Sequence, residues 1–316
     1  MTGSGATSTG GNDRPVLQRG DRVFSQAAKG AGLLILVILA GVATFLFIEA
    51  IPALTAPREE ISGGEGLVGY IWPLLFGTLL SATMALLVET PLAVAIALFI
   101  TQYAPRRLAQ GLGYLVDLLA AIPSIVYGFW GIYWLAPKLV PFYQWLEENL
   151  GFIPLFAGPT SSTGRTMFTV GLVLGVMILP IVSAISREVF LQVPVLHREA
   201  ALALGATRWE MIRMAVLPYG KSGVIGGAML GLGRALGETM AVALILSVSG
   251  GITFNLISSG NPSTVAADIA LEFPESSGIE VNTLIVSGLA LFVITFAVNM
   301  LARWIVNRRA EFSGAN

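Results

Sequence analysis

Four ionisable side chains interrupt stretches that are otherwise free of charge: Glu89, Asp117, Arg234 and Glu238. If those stretches lie in a bilayer, each charge costs roughly 3 to more than 10 kcal/mol unless it meets a partner or a polar path. Arg234 stays charged, and its planar guanidinium can grip an oxyanion through two hydrogen bonds. Glu238, one helical turn on, can hold that guanidinium and offset its charge. From the residues alone the pair reads equally as an anion-handling site or as a buried ion pair that fixes helix register. Glu89 stands before Thr90-Pro91, where proline frees a backbone carbonyl and permits a kink. It can join a polar path or bond to a neighbouring helix, and the structural reading is the stronger one. Asp117 fits an ion pair at the membrane edge with Arg106, Arg107 or a loop arginine.

Other chemistry is excluded early. The chain has no cysteine, which removes disulfides, thiolate metal sites and cysteine nucleophiles. His197 is its one histidine and lies in a loop, so multi-histidine metal sites and intramembrane hydrolase triads have no residues to build on. Of 316 residues, 55% are hydrophobic and only 12% charged, with a mean hydropathy of +0.78. A soluble protein carries about 25% charged residues, so the composition requires an integral membrane protein with several helices.

Charge-free runs place the spans. A crossing helix needs about 20 apolar residues, and six runs qualify, giving helices over 30–52, 70–100, 110–136, 166–186, 219–248 and 281–306. The expected fold is all-α and polytopic. Residues 1–25, rich in Gly, Ser and Thr, read as a disordered cytoplasmic tail, and 311–316 as a C-terminal tail. Basic residues across the tail, the five loops and the far tail number four, one, two, two, five, zero and three. That alternation places both termini in the cytoplasm. Residues 142–150 set Phe142, Trp145, Leu146 and Leu150 at helical spacing. This reads either as a helix at the membrane interface or as a docking surface for an external partner.

The fifth helix carries Gly223, Gly227 and Gly231 at four-residue intervals, the small-residue pattern of close helix contact. At about 100° per residue, these glycines, Arg234 and Glu238 share one face. That face must look at another helix or at a central pathway.

The loop 192–218 is expected to fold as helix, turn and helix. Pro194 suits a helix start and Gly205 a helix end. Thr207 and Glu210 form a Thr-x-x-Glu capping box for the second helix, and Pro218 is expected to stop it. Next to it, 215–222 loosely fit a phosphate-binding Gly-Lys-Ser loop. Such a loop needs a preceding strand, whereas here a proline-broken helix comes first and a membrane span follows.

Two stretches resemble known families. Glu199-Ala200-Ala201, then Gly205, then Leu217-Pro218 is similar to the Glu-Ala-Ala loop of ABC importer permeases, with Ala215 departing from the family's isoleucine. Gly233-Arg-Ala-Leu-Gly-Glu-Thr-Met-Ala-Val242 resembles the matching stretch of PstC-type permeases of bacterial high-affinity phosphate importers. The resemblance covers about 25–310. It implies a type I importer permease, a transporter subunit rather than an enzyme, in the bacterial inner membrane. It implies coupling to an ATPase through Glu199, Ala200, Ala201, Gly205, Ala206 and Thr207, and a phosphate path through Arg234, Glu238, Thr239 and Glu89. The implied partners are a PstA-type permease, an ATPase dimer carrying ATP and Mg2+, and an external phosphate-binding protein. This chain is expected to bind no cofactor, metal or nucleic acid of its own. A permease for sulfate, molybdate or another solute is the rival within the class. A passive channel gives no reason for such a loop.

Overall fold

The computed structural model describes residues 19–61, 64–248 and 251–310. The chain divides into two units between Glu49 and Ala50. The described part of the first is the leading length of α1 (Arg19–Thr55). Residues 1–18 and 311–316 of the expected tails lie outside the described residues. From Arg19 onward the chain is helical, earlier than the hydropathy alone sets it, because no proline stands between Arg19 and Pro52.

The second unit continues with α2 (Gly66–Leu98), α3 (Arg106–Ala120), α4 (Ser124–Trp130), α5 (Ala136–Leu150) and α6 (Met167–Leu191). Then come α7 (Val195–Ala203), α8 (Arg208–Met211), α9 (Leu217–Leu236), α10 (Met240–Ile245), α11 (Val265–Glu272) and α12 (Ile279–Ala310). No strand occurs among the described residues beyond an isolated bridge between Val248 and Asn261.

Six crossing helices are expected; among the described residues four are long and apolar enough by themselves, in α1, α2 with its following turn, α6 and α12. They become five if α3 and α4–α5 form one broken span. The helix expected over 110–136 is cut at Ala121–Pro123, and its two arms meet at 93°. Pro123 bars the helical conformation at Ile122 and starts α4 itself. The helix expected over 219–248 is also two pieces. α9 is rich in glycine, carries Lys221 and Arg234, and stops at Leu236.

Proline is handled in a repeated way. Wide π turns at Phe99–Tyr103, Gly131–Leu135 and Ile212–Val216 each end one residue ahead of a residue followed by proline: Pro105, Pro137 and Pro218. Proline offers no N–H and crowds the carbonyl four residues back. Widening the preceding turn relieves that crowding. Pro218 therefore does not stop the second loop helix, as expected from sequence; the backbone runs from α8 through the wide turn into α9 without a break. Pro91 likewise lies inside α2 without ending it.

α6 is the centre of the bundle. Met167, Val173, Leu174, Ile178 and Val182 are wholly buried. Its glycines admit α2 closely, since a Cβ at Gly171 would meet Met84 at 2.9 Å. On the other side it takes the glycine face of α9. In contrast, Leu87, Phe292, Val293 and Phe296 are exposed, as suits side chains whose solvent is lipid. The end of α1 from Ala50 on packs with Ile71, Leu74, Val265 and Val286.

Candidate functional site

The charged motif of the fifth helix lies at a break. α9 ends at Leu236, Gly237 follows, and Thr239 is the first residue of the turn into α10. Gly237 is a poor helix former. Glu238 supplies what the next helix start lacks: its Oε1 accepts a hydrogen bond from the Ala241 N–H at 3.2 Å. The Thr239 hydroxyl donates to the Gly237 carbonyl at 3.2 Å.

This changes the role of Glu238. It does not form an ion pair with Arg234 within 4.0 Å. The helical-wheel argument fails for Glu238 because the wheel stops two residues before it. It holds for the glycines. A Cβ at Gly227 would meet Ile185 at 3.2 Å, one at Gly231 would meet Val182 at 3.0 Å, and one at Gly223 would overlap Val189. All three glycines thus face α6 rather than a pathway.

Arg234 is half buried, and its Nε is buried without a hydrogen-bond partner. It lies near enough to Tyr127 to act on it electrostatically. The Tyr127 hydroxyl donates to the Leu119 carbonyl at 2.9 Å, across the sharp bend. The motif thus leaves a cation that Glu238 does not neutralise, beside a turn of glycine and threonine. That arrangement can take an anion.

Glu89 is buried on α2 facing Gly175 of α6. Its Oε2 accepts from the Thr90 hydroxyl at 3.2 Å, and its Oε1 is buried without a partner. It makes no hydrogen bond or ion pair with Arg234 or Glu238. Asp117 meets Arg187 at 3.4 Å; the ion pair is as expected, but its arginine lies on α6 rather than in a loop.

The second functional region is the loop after α6. α7 ends in a six-to-one bond from the Ala206 N–H to the Ala201 carbonyl, with Gly205 donating to Leu202. Gly205 takes φ +83°, which a residue with a Cβ adopts only at a cost. At Thr207 the capping box is complete: its backbone N–H and its hydroxyl donate to Glu210 Oε2 at 2.7 and 2.8 Å, and the Glu210 N–H donates back to Thr207 Oγ1 at 3.3 Å. These bonds hold the Glu210 carboxyl below the usual carboxylate range. Met211, Ile212 and Val216 seat the base of the loop on Phe190, Val193, Ala97 and Leu98.

α7 has no buried residue. Glu199, Ala200 and Gly205 are exposed, and so are large apolar side chains, Leu196, Leu204 and Trp209 among them. Sequence reading passed over those three. Apolar side chains beside polar ones on an exposed loop mark a surface that a partner covers. The 215–222 stretch gives no phosphate loop, since 217–222 form the first turns of α9.

The short helix expected over 142–150 is the latter part of α5 (Ala136–Leu150), with Tyr143 and Leu146 buried and Phe142 and Trp145 exposed. One further residue went unread. Arg165, just ahead of α6, reaches the end of α10: its Nε donates to the Ile245 carbonyl at 3.2 Å, and its Nη2 to those of Leu246 at 3.3 Å and Leu244 at 3.5 Å. No spacing signal links residues so far apart in sequence.

Broken helices around a central one, a charged motif at one of the breaks and a self-contained exposed loop suit a membrane subunit of an importer. The model of the family described as "binding-protein-dependent transport system inner membrane component" matches residues 89–311. The chain is 48% identical to the phosphate transport system permease protein PstC 2 of Mycobacterium tuberculosis, over 93% of this chain and 94% of that one. It is 45% identical to PstC of Mycobacterium leprae, over 94% and 96%. A solved bacterial alginate importer, in complex with its periplasmic protein, has a chain of the same fold, with a TM-score of 0.57 over 90% of this chain and 96% of that one at 16% identity. The chain belongs to the binding-protein-dependent inner-membrane components and, within them, to the PstC-type permeases.

Proposed function

We propose that this chain is the membrane subunit through which an ATP-driven importer moves inorganic phosphate into the bacterial cytoplasm. Relatives named for phosphate transport, at 48% identity over nearly the whole chain, support phosphate over sulfate or molybdate. The observation that carries the mechanism is Arg234, a cation at a helix break without an ion pair. Its guanidinium lowers the cost of a dehydrated anion midway across the membrane. Thr239 and the break itself offer polar groups beside it. Holding must stay weak enough for release. Glu89 belongs to the same reading as a buried carboxyl one helix away.

ATP and Mg2+ sit on separate ATPase subunits in this reading. Glu199, Ala200, Ala201, Gly205, Ala206 and Thr207, with Leu196, Leu204 and Trp209 around them, form the surface that those subunits grip. A PstA-type permease completes the pathway and an external phosphate-binding protein loads it. Both termini face the cytoplasm. ATP-driven closure moves the 195–213 loop, the helices rock, the path opens outward, and hydrolysis resets it.

Uptake of labelled phosphate at low external concentration, in cells lacking the chain and in cells with it restored, tests the reading. Loss and rescue of phosphate uptake with sulfate uptake unchanged is the expected outcome. Loss of sulfate uptake instead would reassign the substrate.

A further inference from the structure

α10 has only six residues, too few for a helix to hold itself by its internal bonds. Its stability must come from what surrounds it. Ala241, Val242 and Ile245 are buried. They lie against α4 and the wide turn after it, where glycine leaves room: a Cβ at Gly128 would meet Ala241 at 3.0 Å, and one at Gly131 would meet Ile245 at 2.6 Å. Both ends carry a charge of the sign that a helix end favours. Glu238 takes the Ala241 N–H at the start. Arg165 takes the carbonyls of Leu244, Ile245 and Leu246 at the finish.

Arg165 is itself anchored. The next residue, Thr166, caps α6 by accepting the Thr169 N–H at 3.2 Å. The Thr169 hydroxyl donates to the Gly164 carbonyl at 2.6 Å and lies 2.7 Å from the Tyr143 hydroxyl on α5. The guanidinium is thus a strut from the fixed start of α6 to the far end of α10. The near end of α10 is Thr239, and the turn before it carries Arg234. Its Nε and Nη2 are turned to three carbonyls of the protein.

We infer that Arg165 is the positioning residue of the Arg234–Thr239 turn: it sets the seat of α10, and through it the place of the anion-handling cation. This rests on the reading of that turn as part of the phosphate path. It assigns Arg165 a role in transport without contact to the anion.

The test uses the assembled importer in proteoliposomes. The chain has no cysteine, so Met240→Cys, at the exposed first residue of α10, gives it a single thiol. Thiol-labelling rate at that position reports the seat of α10 without phosphate, and uptake reports transport. Arg165→Gln is expected to raise the labelling rate and to lower maximal phosphate uptake, each by about tenfold. The phosphate concentration at half-maximal rate should move less than twofold. Arg165→Lys keeps charge at the helix end but not the fork, and should restore both readouts in part. Where the glutamine variant does not assemble, the lysine variant against the parent decides by the same two readouts.

Unchanged labelling with lost uptake would overturn the positioning role, since Arg165 would then act on the anion or elsewhere. Unchanged labelling with normal uptake would overturn it too. Raised labelling with normal uptake would leave α10 held by Arg165 but remove the turn from the phosphate path, which separates failure of this inference from failure of the reading beneath it.

Discussion

The loop after α6 and the α9–α10 break sit at opposite ends of one helix, and they hold their shapes by different means. The loop is made of local bonds. Gly205, Thr207 and Glu210 are within six residues of one another, and the bonds that shape the turn join neighbours in sequence. The break is made of distant ones. α10 depends on Gly128 of α4, on Gly131 of the wide turn that follows it, and on Arg165, which lies about eighty residues before the carbonyls it holds. A loop built locally can move as a piece against a partner and keep its form. A turn held by remote struts keeps its form only while the surrounding helices stay where they are, so it must respond when they shift. The first suits a handle and the second a site that opens and closes.

Five substitutions sharpen that contrast. Arg234→Gln should lower phosphate uptake by about a hundredfold, the order seen when a preorganised charge is removed from a reacting group. Co-purification with the ATPase subunits should remain; wild-type uptake would make Arg234 structural. Gly205→Pro or Glu199→Lys should lower uptake by about tenfold or more, because proline cannot adopt φ near +83° and a reversed charge alters the exposed face of α7. Basal ATPase activity should persist without stimulation by loaded binding protein, and stimulation at the normal level would refute the handle.

Gly227→Val should cost about 1–3 kcal/mol by overpacking α9 against Ile185. A lowered unfolding midpoint in detergent is the readout, and an unchanged midpoint would mean that the α6–α9 seam yields. The smallest effect belongs to Thr207→Ala. The Glu210 carboxyl is held low by Thr207 in the folded loop. Its contribution is therefore present above the unfolded carboxylate range and fades as pH falls through the lowered folded value. The alanine variant keeps the backbone N–H bond to Glu210 and loses the hydroxyl bonds, so it should weaken that dependence and show slightly weaker ATPase stimulation at neutral pH. An identical pH profile in the two proteins would show that the cap does not matter for coupling.

The same contrast explains what could be read from the sequence. The loop was legible because its capping and turn signals are local: Pro194, Gly205 and the Thr207–Glu210 box all stand where expected. The glycine face of α9 was legible because small residues at four-residue spacing mean close contact, and that contact is with α6. The Arg234–Glu238 pairing was misread because a wheel assumes that the helix continues. Gly237 and a carboxylate able to cap the next helix were visible, but hydropathy over 219–248 covered the break. Pro218 was misread as a stop because a π turn, which accommodates it, leaves no mark in hydropathy. Arg165 carried no signal, since its partners are main-chain carbonyls and any sequence supplies those.

The continuity from α8 through the wide turn into α9 has a mechanical meaning. Residues 208–236 form one rod about 40 Å long at ~1.5 Å per residue, with Arg234 near its tip. The glycine seam on Ile185 and Val182 lies partway along it and is smooth enough to act as a pivot. A lever of that kind turns a small displacement at the loop end into a swing of the opposite sense at the tip. Had Pro218 severed the rod, as proline commonly does, the push would have been absorbed at the joint.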